Sequence, residues 1–261
     1  MAVASVTLDR VSFTYPDGQA ALRGVTLSLR AGETLGLLGA NGAGKSTLLL
    51  HLNGLLRGSG TIRIGDLPLN DRTLPQIRGK VGLLFQNPDD QLFMPTVFED
   101  VAFGPRNQGL AAPEVRRRVE RALEVTGMRG AEQRPPHHLS LGQKKRVALA
   151  TVLAMECEVL VLDEPTSGLD PRGRRDLARF LMELEQTRIV ATHDLEFAVE
   201  LCYRVAVLCE GEIVALGVPR EILGDAELME RTGLEVPHSL RFHEHDIPHL
   251  HVAARSKSRE P

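Results

Sequence analysis

Apolar and polar residues alternate along Ser5–Tyr15 (SVTLDRVSFTY) and again along Ala21–Leu29 (ALRGVTLSL), with PDGQ, Pro16–Gln19, between them. Alternation on both sides of a Pro/Asp/Gly turn predicts an antiparallel hairpin with one face in water. Four later runs differ, being apolar on successive residues: TLGLLG from Thr34, VGLLF from Val81, VLVLDE from Val159 and RIVATH from Arg188. Short runs of this kind suit strands buried on both faces, so they predict a parallel sheet flanked by helices. From about Asn87 to Ala150 the character changes to a proline-rich loop followed by the helical pattern PEVRRRVERALEVTG, which predicts an inserted helical lobe. Arg116, Arg117 and Arg118 share that helix with Glu114, Glu120 and Glu124, and are expected on a solvated face. From Pro237 the chain is polar, His-rich and weakly periodic. The expected organisation is one domain over 1–236, with its helical part at about 87–150, and a tail over 237–261.

A chain of 261 residues can bury a full core. Its formal net charge of -3 offers no global attraction to nucleic acid, so none is expected as a partner. Cys157, Cys202 and Cys209 lack metal-type spacing and read as small apolar residues in a reducing compartment. The start MAVASVTLDRVSF has no basic region followed by an apolar stretch, and no 18 apolar residues run together; neither a signal peptide nor a membrane span is expected.

Chemistry enters at Leu38–Leu52, LGANGAGKSTLLLHL. Residues Gly39–Ser46 fit G-x-x-x-x-G-K-[ST], in which loop amides cradle phosphates, Lys45 reaches the terminal phosphates and the Ser46 hydroxyl ligates Mg2+. Gly39, Asn41, Gly42, Gly44, Lys45, Ser46 and the following Thr47 are therefore candidate residues for binding a nucleoside triphosphate, the loop by itself saying no more than that. The helix opening at Lys45 adds its positive end. VLVLDEP ends an apolar strand with Asp163 and Glu164, whose side chains alternate and so serve different tasks. Asp163 is placed for the Mg2+ water shell, and Glu164 for polarising the attacking water as general base. Further on, Ser140 and Gln143 make a capping box at the start of an apolar-periodic helix. Ser140, the Gly142 amide and the helix dipole offer a second anion site, separate from the first.

Phosphate loop, LSLGQ, VLVLDEP, SGLD and ATHD follow one another in an order that resembles the nucleotide-binding subunit of ABC transporters, from about Val3 to Val236. The resemblance implies an α/β fold: a P-loop cassette with a RecA-like parallel-sheet core, an N-terminal antiparallel β subdomain and an inserted helical subdomain. It implies ATP and Mg2+ as cofactors, and a homodimer in which the signature loop of one subunit closes over the ATP of the other. Gln86 becomes the Q-loop residue that joins Mg2+ and the nucleophilic water, Asp170 lies in a loop crossing the dimer interface, and His193 is the switch histidine that contacts the γ-phosphate. Tyr15 resembles the aromatic that stacks on adenine. The family pattern LSGGQ has glycine where this chain has Leu141; Ser140 and Gly142 supply the contacts, so the site is expected to survive.

Phe85–Leu110, FQNPDDQLFMPTVFEDVAFGPRNQGL, closely resembles the segment after the Q-loop in ATPases of energy-coupling factor importers, which take up vitamins and the metals cobalt and nickel. That likeness implies a peripheral place on the cytoplasmic face of the membrane, against a membrane T-component and a substrate-binding membrane subunit. Asp89, Asp90, Glu99 and Asp100 are expected to give the receiving groove an acidic rim. The H-x-H pairs His243/His245 and His249/His251 favour cobalt or nickel as cargo, because imidazole suits both ions. A vitamin importer is the nearest alternative. A non-transport ABC ATPase of DNA repair or the ribosome would bring coiled-coil insertions or a tandem domain, and neither is visible. A small-molecule kinase would leave LSLGQ without a purpose.

Overall fold

The computed structural model describes residues 3–241. Strand β1 (Val6–Thr14) and β2 (Ala20–Leu29) form the expected hairpin, in register Val6 with Leu29 and Leu8 with Leu27. With β4 (Ser59–Ile64) and β5 (Leu67–Pro68) they make an antiparallel sheet in the order β2-β1-β4-β5.

The second sheet has the order β10-β9-β3-β8-β7-β6. It comprises β3 (Thr34–Leu38), β6 (Val81–Leu84), β7 (Val159–Asp163), β8 (Thr187–Ala191), β9 (Arg204–Cys209) and β10 (Glu212–Gly217). All neighbours pair in parallel except β10, which returns antiparallel on β9. The uninterrupted apolar runs are explained by two separate cores. Leu160 and Leu162 of β7 face the core shared with the helical lobe, while Val159 and Val161 face the core shared with the antiparallel sheet. Every residue of β3, β7 and β8 is buried, so a polar substitution on either face would lose its water without a partner.

Helix α1 (Lys45–Leu52) follows β3, and α2 (Leu74–Lys80) precedes β6. The lobe is built from α3 (Val97–Asn107), α4 (Ala112–Val125) and α5 (Leu141–Ala154), joined through Val101, Val119, Leu123 and Val147, each fully buried. Then come α6 (Pro171–Glu183), α7 (Leu195–Leu201), α8 (Pro219–Gly224), α9 (Ala226–Arg231) and α10 (His238–Arg241). The fold thus continues past Pro237, and the Ser239 N–H donates to Glu196 at 3.1 Å. The paired histidines from His243 onward lie outside the described residues. Among those described, no helix is long and apolar enough to cross a membrane.

The arginine run on α4 is only partly a solvated face. Arg116 and Arg117 are exposed, but Arg118 turns inward and bridges Glu114 at 2.9 Å and Glu156 at 3.0 Å. Glu156 lies beyond α5, so the pair closes α4 onto its neighbour. Cys157 and Cys202 are buried free thiols, and Cys209 is a half-buried one.

Candidate functional site

The phosphate loop runs from the end of β3 into α1, and two of its glycines are required by geometry. A Cβ on Gly39 would lie 2.2 Å from the Leu208 carbonyl oxygen. Gly44, which caps α1, has φ 106°, and its Cβ would lie 2.4 Å from the Ala21 oxygen. Lys45 is buried, and its Nζ donates to the carbonyls of Gly39 at 2.7 Å and Ala40 at 3.0 Å. Burial lowers its pKa, while the charges of Glu164 and Asp163 act in the opposite sense.

Facing the loop, β7 delivers its two carboxylates. Asp163 hydrogen-bonds to the Ser46 side chain, and burial raises its pKa against that bond. Glu164 is 5 % exposed and has φ 48°, a left-handed conformation that costs energy for a residue with a Cβ. Its N–H donates to Ala191 of β8 at 2.9 Å, which ties the strained peptide to the sheet. The His193 Nδ1 lies 2.8 Å from Glu164 Oε2, and the Thr192 Oγ1 lies 3.3 Å from the same oxygen.

Tyr15, Asn41, Gly42, Gly44, Lys45, Ser46, Thr47, Gln86, Asp163 and Glu164 line one open cleft of about 450 Å³. Gly39 backs it. The Tyr15 hydroxyl is 3.0 Å from the Thr47 Oγ1, and Phe13 packs edge-on against the Tyr15 ring at 4.9 Å, so the tyrosine is held at the cleft wall. The oxygen donors of Ser46, Asp163 and Gln86 around one cavity suit a hard cation such as Mg2+ that keeps part of its water shell.

Ser140, Gly142, Gln143 and Asp170 are not brought into this cleft. Ser140 caps α5 with the full reciprocal box: its N–H donates to Gln143 Oε1 at 3.0 Å, and the Gln143 N–H donates to Ser140 Oγ at 3.4 Å. Asp170 caps α6 through the Gly173 N–H at 2.6 Å. The two caps are neighbours, since Gly168 abuts both Leu141 and Gly142. Leu141 points outward, 54 % exposed, and leaves the cap intact. One chain therefore carries the loop cleft and, apart from it, the neighbouring caps of α5 and α6.

The expected acidic rim is overturned at Asp100 alone, since Asp89 and Asp90 are exposed and Glu99 is half-buried. Asp100 is buried, and its Oδ1 accepts the N–H groups of Phe93 and Met94, both at 3.0 Å. Glu99 helps cap α3 with Thr96, and Asp89 pairs with Lys144 at 2.6 Å. What this surface does present is Phe93, 63 % exposed, stacked edge-on at 5.1 Å with the partly exposed Phe103. Two polar residues escaped the reading of the sequence. Gln91 accepts from the Phe85 N–H and donates to Ala148 and Thr151 of α5. Lys145 is buried beneath the carboxylate pair, and its place one and two turns before Leu149 and Val152 on the apolar face of α5 was the available signal.

A buried-strand phosphate loop, adjacent carboxylates with a histidine on the second, and a capped signature helix on an inserted lobe define an ATP-binding cassette. The chain belongs to the ABC transporter family, which it matches over residues 22–167, and is an ABC-type ATPase. It is 50% identical to the energy-coupling factor transporter ATP-binding protein EcfA of Methanothermobacter thermautotrophicus, over 89% of this chain and 76% of that one. It is also similar to cbiO1 of Clostridium perfringens, part of the ABC transporter complex cbiONQ, with a TM-score of 0.75 and 40% identity over 90% of this chain and 97% of that one. A third likeness is to a dimeric ATP-binding cassette in a post-hydrolysis state bound to ADP and Pi, with a TM-score of 0.75 and 29% identity over 82% of this chain and 98% of that one.

Proposed function

We propose that this chain is the ATP-hydrolysing subunit of an energy-coupling factor importer, peripheral on the cytoplasmic face of the membrane, with cobalt or nickel ions as cargo. The observation that carries the ATPase part is the convergence of Lys45, Ser46, Gln86, Asp163 and Glu164 on one cleft, with His193 in contact with Glu164. In this reading the loop amides and Lys45 hold the phosphates of ATP, with Tyr15 beside the base. Lys45 exchanges the Gly39 and Ala40 carbonyls for phosphate oxygens. Ser46, Asp163 and Gln86 would hold Mg2+, which would supply neutralising charge to the phosphates.

Glu164 takes a proton from water as the water oxygen bonds to the γ-phosphorus. The bond from that phosphorus to the bridging oxygen breaks, and ADP leaves with the electron pair. His193 fixes the rotamer of the base and reaches the γ-phosphate from its exposed position. The signature elements Ser140, Gly142 and Gln143, with Asp170, complete the cleft of a second copy, so two identical chains placed head to tail make two sites.

The transporter type rests on the EcfA likeness and on the Phe85–Leu110 segment, whose exposed Phe93 and Phe103 supply an apolar anchor for a helix of the T-component. The metal cargo rests on the paired histidines of the tail. Co-expressed with its membrane partners and reconstituted in vesicles, the protein is expected to drive ATP-dependent uptake of Co2+ or Ni2+. Uptake of a vitamin instead would overturn the cargo alone; ATPase activity indifferent to every membrane partner would overturn the transporter reading.

A further inference from the structure

Four charged side chains are buried together at the head of β7: Asp163, Glu164, Lys45 and Lys145, each less than 10 % exposed. Lys45, Asp163 and Glu164 line the phosphate cleft. Lys145 comes from the lobe, on the second turn of α5, five residues after Ser140. Its Nζ lies 3.4 Å from the carbonyl oxygen of Glu164, the same oxygen that accepts the Ser167 N–H at 3.2 Å. Glu164 is thus held on both sides of its left-handed backbone, by Ala191 through the N–H and by Lys145 and Ser167 through the carbonyl.

Burying a lysine is expensive, and a helix has no need of one on its apolar face. Burial lowers the pKa of Lys145, and the charges of Glu164 and Asp163 act in the opposite sense. Lys45 cannot give lasting compensation, because ATP draws it to the phosphates. Lys145, by contrast, is not among the residues that line the phosphate cleft. Beside it a cavity of about 150 Å³, walled by Val125, Leu149, Leu169, Leu177 and Phe180, separates the lobe from α6. The lobe is therefore not jammed against the core at this point, and a shift of α5 would be transmitted through Lys145 to the peptide of Glu164.

We propose that Lys145 is a positioning residue for hydrolysis: it ties the signature helix to the peptide of Glu164, so that the loop serving one ATP site sets the aim of the base in the other. The inference rests on Glu164 being the base. Loss of the ammonium group frees the Glu164 peptide to relax toward negative φ, which displaces the carboxylate without touching the phosphate loop.

The test uses the full chain with Mg-ATP. Lys145→Met keeps the apolar stem and removes donor and charge. It is expected to lower kcat about tenfold, as misplacement of a reacting group does, with KM and ATP affinity within about twofold of the parent. Lys145→Arg should restore most of the rate. Combined with Glu164→Gln, Lys145→Met should cause no further loss, because it acts through that carboxylate. A parental kcat in Lys145→Met, or a loss of ATP affinity equal to the loss of kcat, overturns the proposal. Should that variant not fold, Lys145→Gln replaces it, and a parental rate there overturns the proposal equally. Full hydrolysis by Glu164→Gln alone would instead sink the assignment of the base, a different failure.

Discussion

His193 and Glu164, 29 positions apart, meet at 2.8 Å between Nδ1 and Oε2, with the histidine side chain 68 % exposed and the glutamate side chain 7 % exposed. The asymmetry separates two tasks: the carboxylate is shielded from bulk water, while the imidazole remains free to reach a ligand. Removing the ring in His193→Ala is expected to cut ATP hydrolysis by about ten- to a hundredfold, with ATP affinity little changed. Steady-state rates together with fluorescent-nucleotide titration check this. An unchanged rate would make the contact a structural one.

Glu164→Gln keeps the size of the side chain and removes its basicity. Hydrolysis should fall by about two orders of magnitude or more, while Mg-ATP still binds. Lys45→Ala should act the other way round, weakening binding itself, because the phosphates lose their cation. The contrast between the two variants is the measurement.

ATP should bring two chains together, since the signature cluster lies outside the cleft of its own chain. The complex should persist in Glu164→Gln, where ATP is not consumed. Sedimentation velocity of that variant at saturating Mg-ATP should show a dimer. Monomer alone would point to a second, different ATPase chain as the natural partner.

Asp100 holds the turn that presents Phe93. In Asp100→Ala the N–H groups of Phe93 and Met94 lose their acceptor, and stability should fall by about 2 kcal/mol, read by urea unfolding. Burial raises the pKa of this carboxyl, with the two N–H bonds opposing. The folded state then binds its proton more tightly than the unfolded state does, so this group's contribution to stability falls as pH rises through its folded value. Asp100→Asn should keep most of the stability and lose that part of the pH slope.

Thiol labelling should discriminate among the cysteines. Burial pushes Cys157 and Cys202 up to about 12, so neither offers thiolate at neutral pH. Half-buried Cys209 should react alone in the native protein, and all three in denaturant. Rapid native labelling of more than one thiol would contradict the packing of the α5–β7 connection, which holds Cys157, or of the end of α7, which holds Cys202.

Elements whose cause is local were legible along the chain. Period-two alternation set the β1–β2 hairpin, and unbroken apolar runs set strands that separate two cores. The spacing of Gly39, Gly44, Lys45 and Ser46 fixed a phosphate loop, because its geometry depends on neighbours a few residues away. The Ser140/Gln143 cap was legible for the same reason.

Tertiary structure decided which way the charged side chains turn. Asp100 and Lys145 carry charges that ordinarily sit in water, yet Asp100 points inward to the N–H groups of Phe93 and Met94, and Lys145 to a carbonyl and two carboxylates across the lobe boundary. Arg118 turns under α4 because Glu156 waits beyond α5. Tyr15 meets Thr47, and His193 meets Glu164, only after strands distant in the chain have paired. Charge burial is decided by partners arriving from other elements, and local pattern holds no record of them.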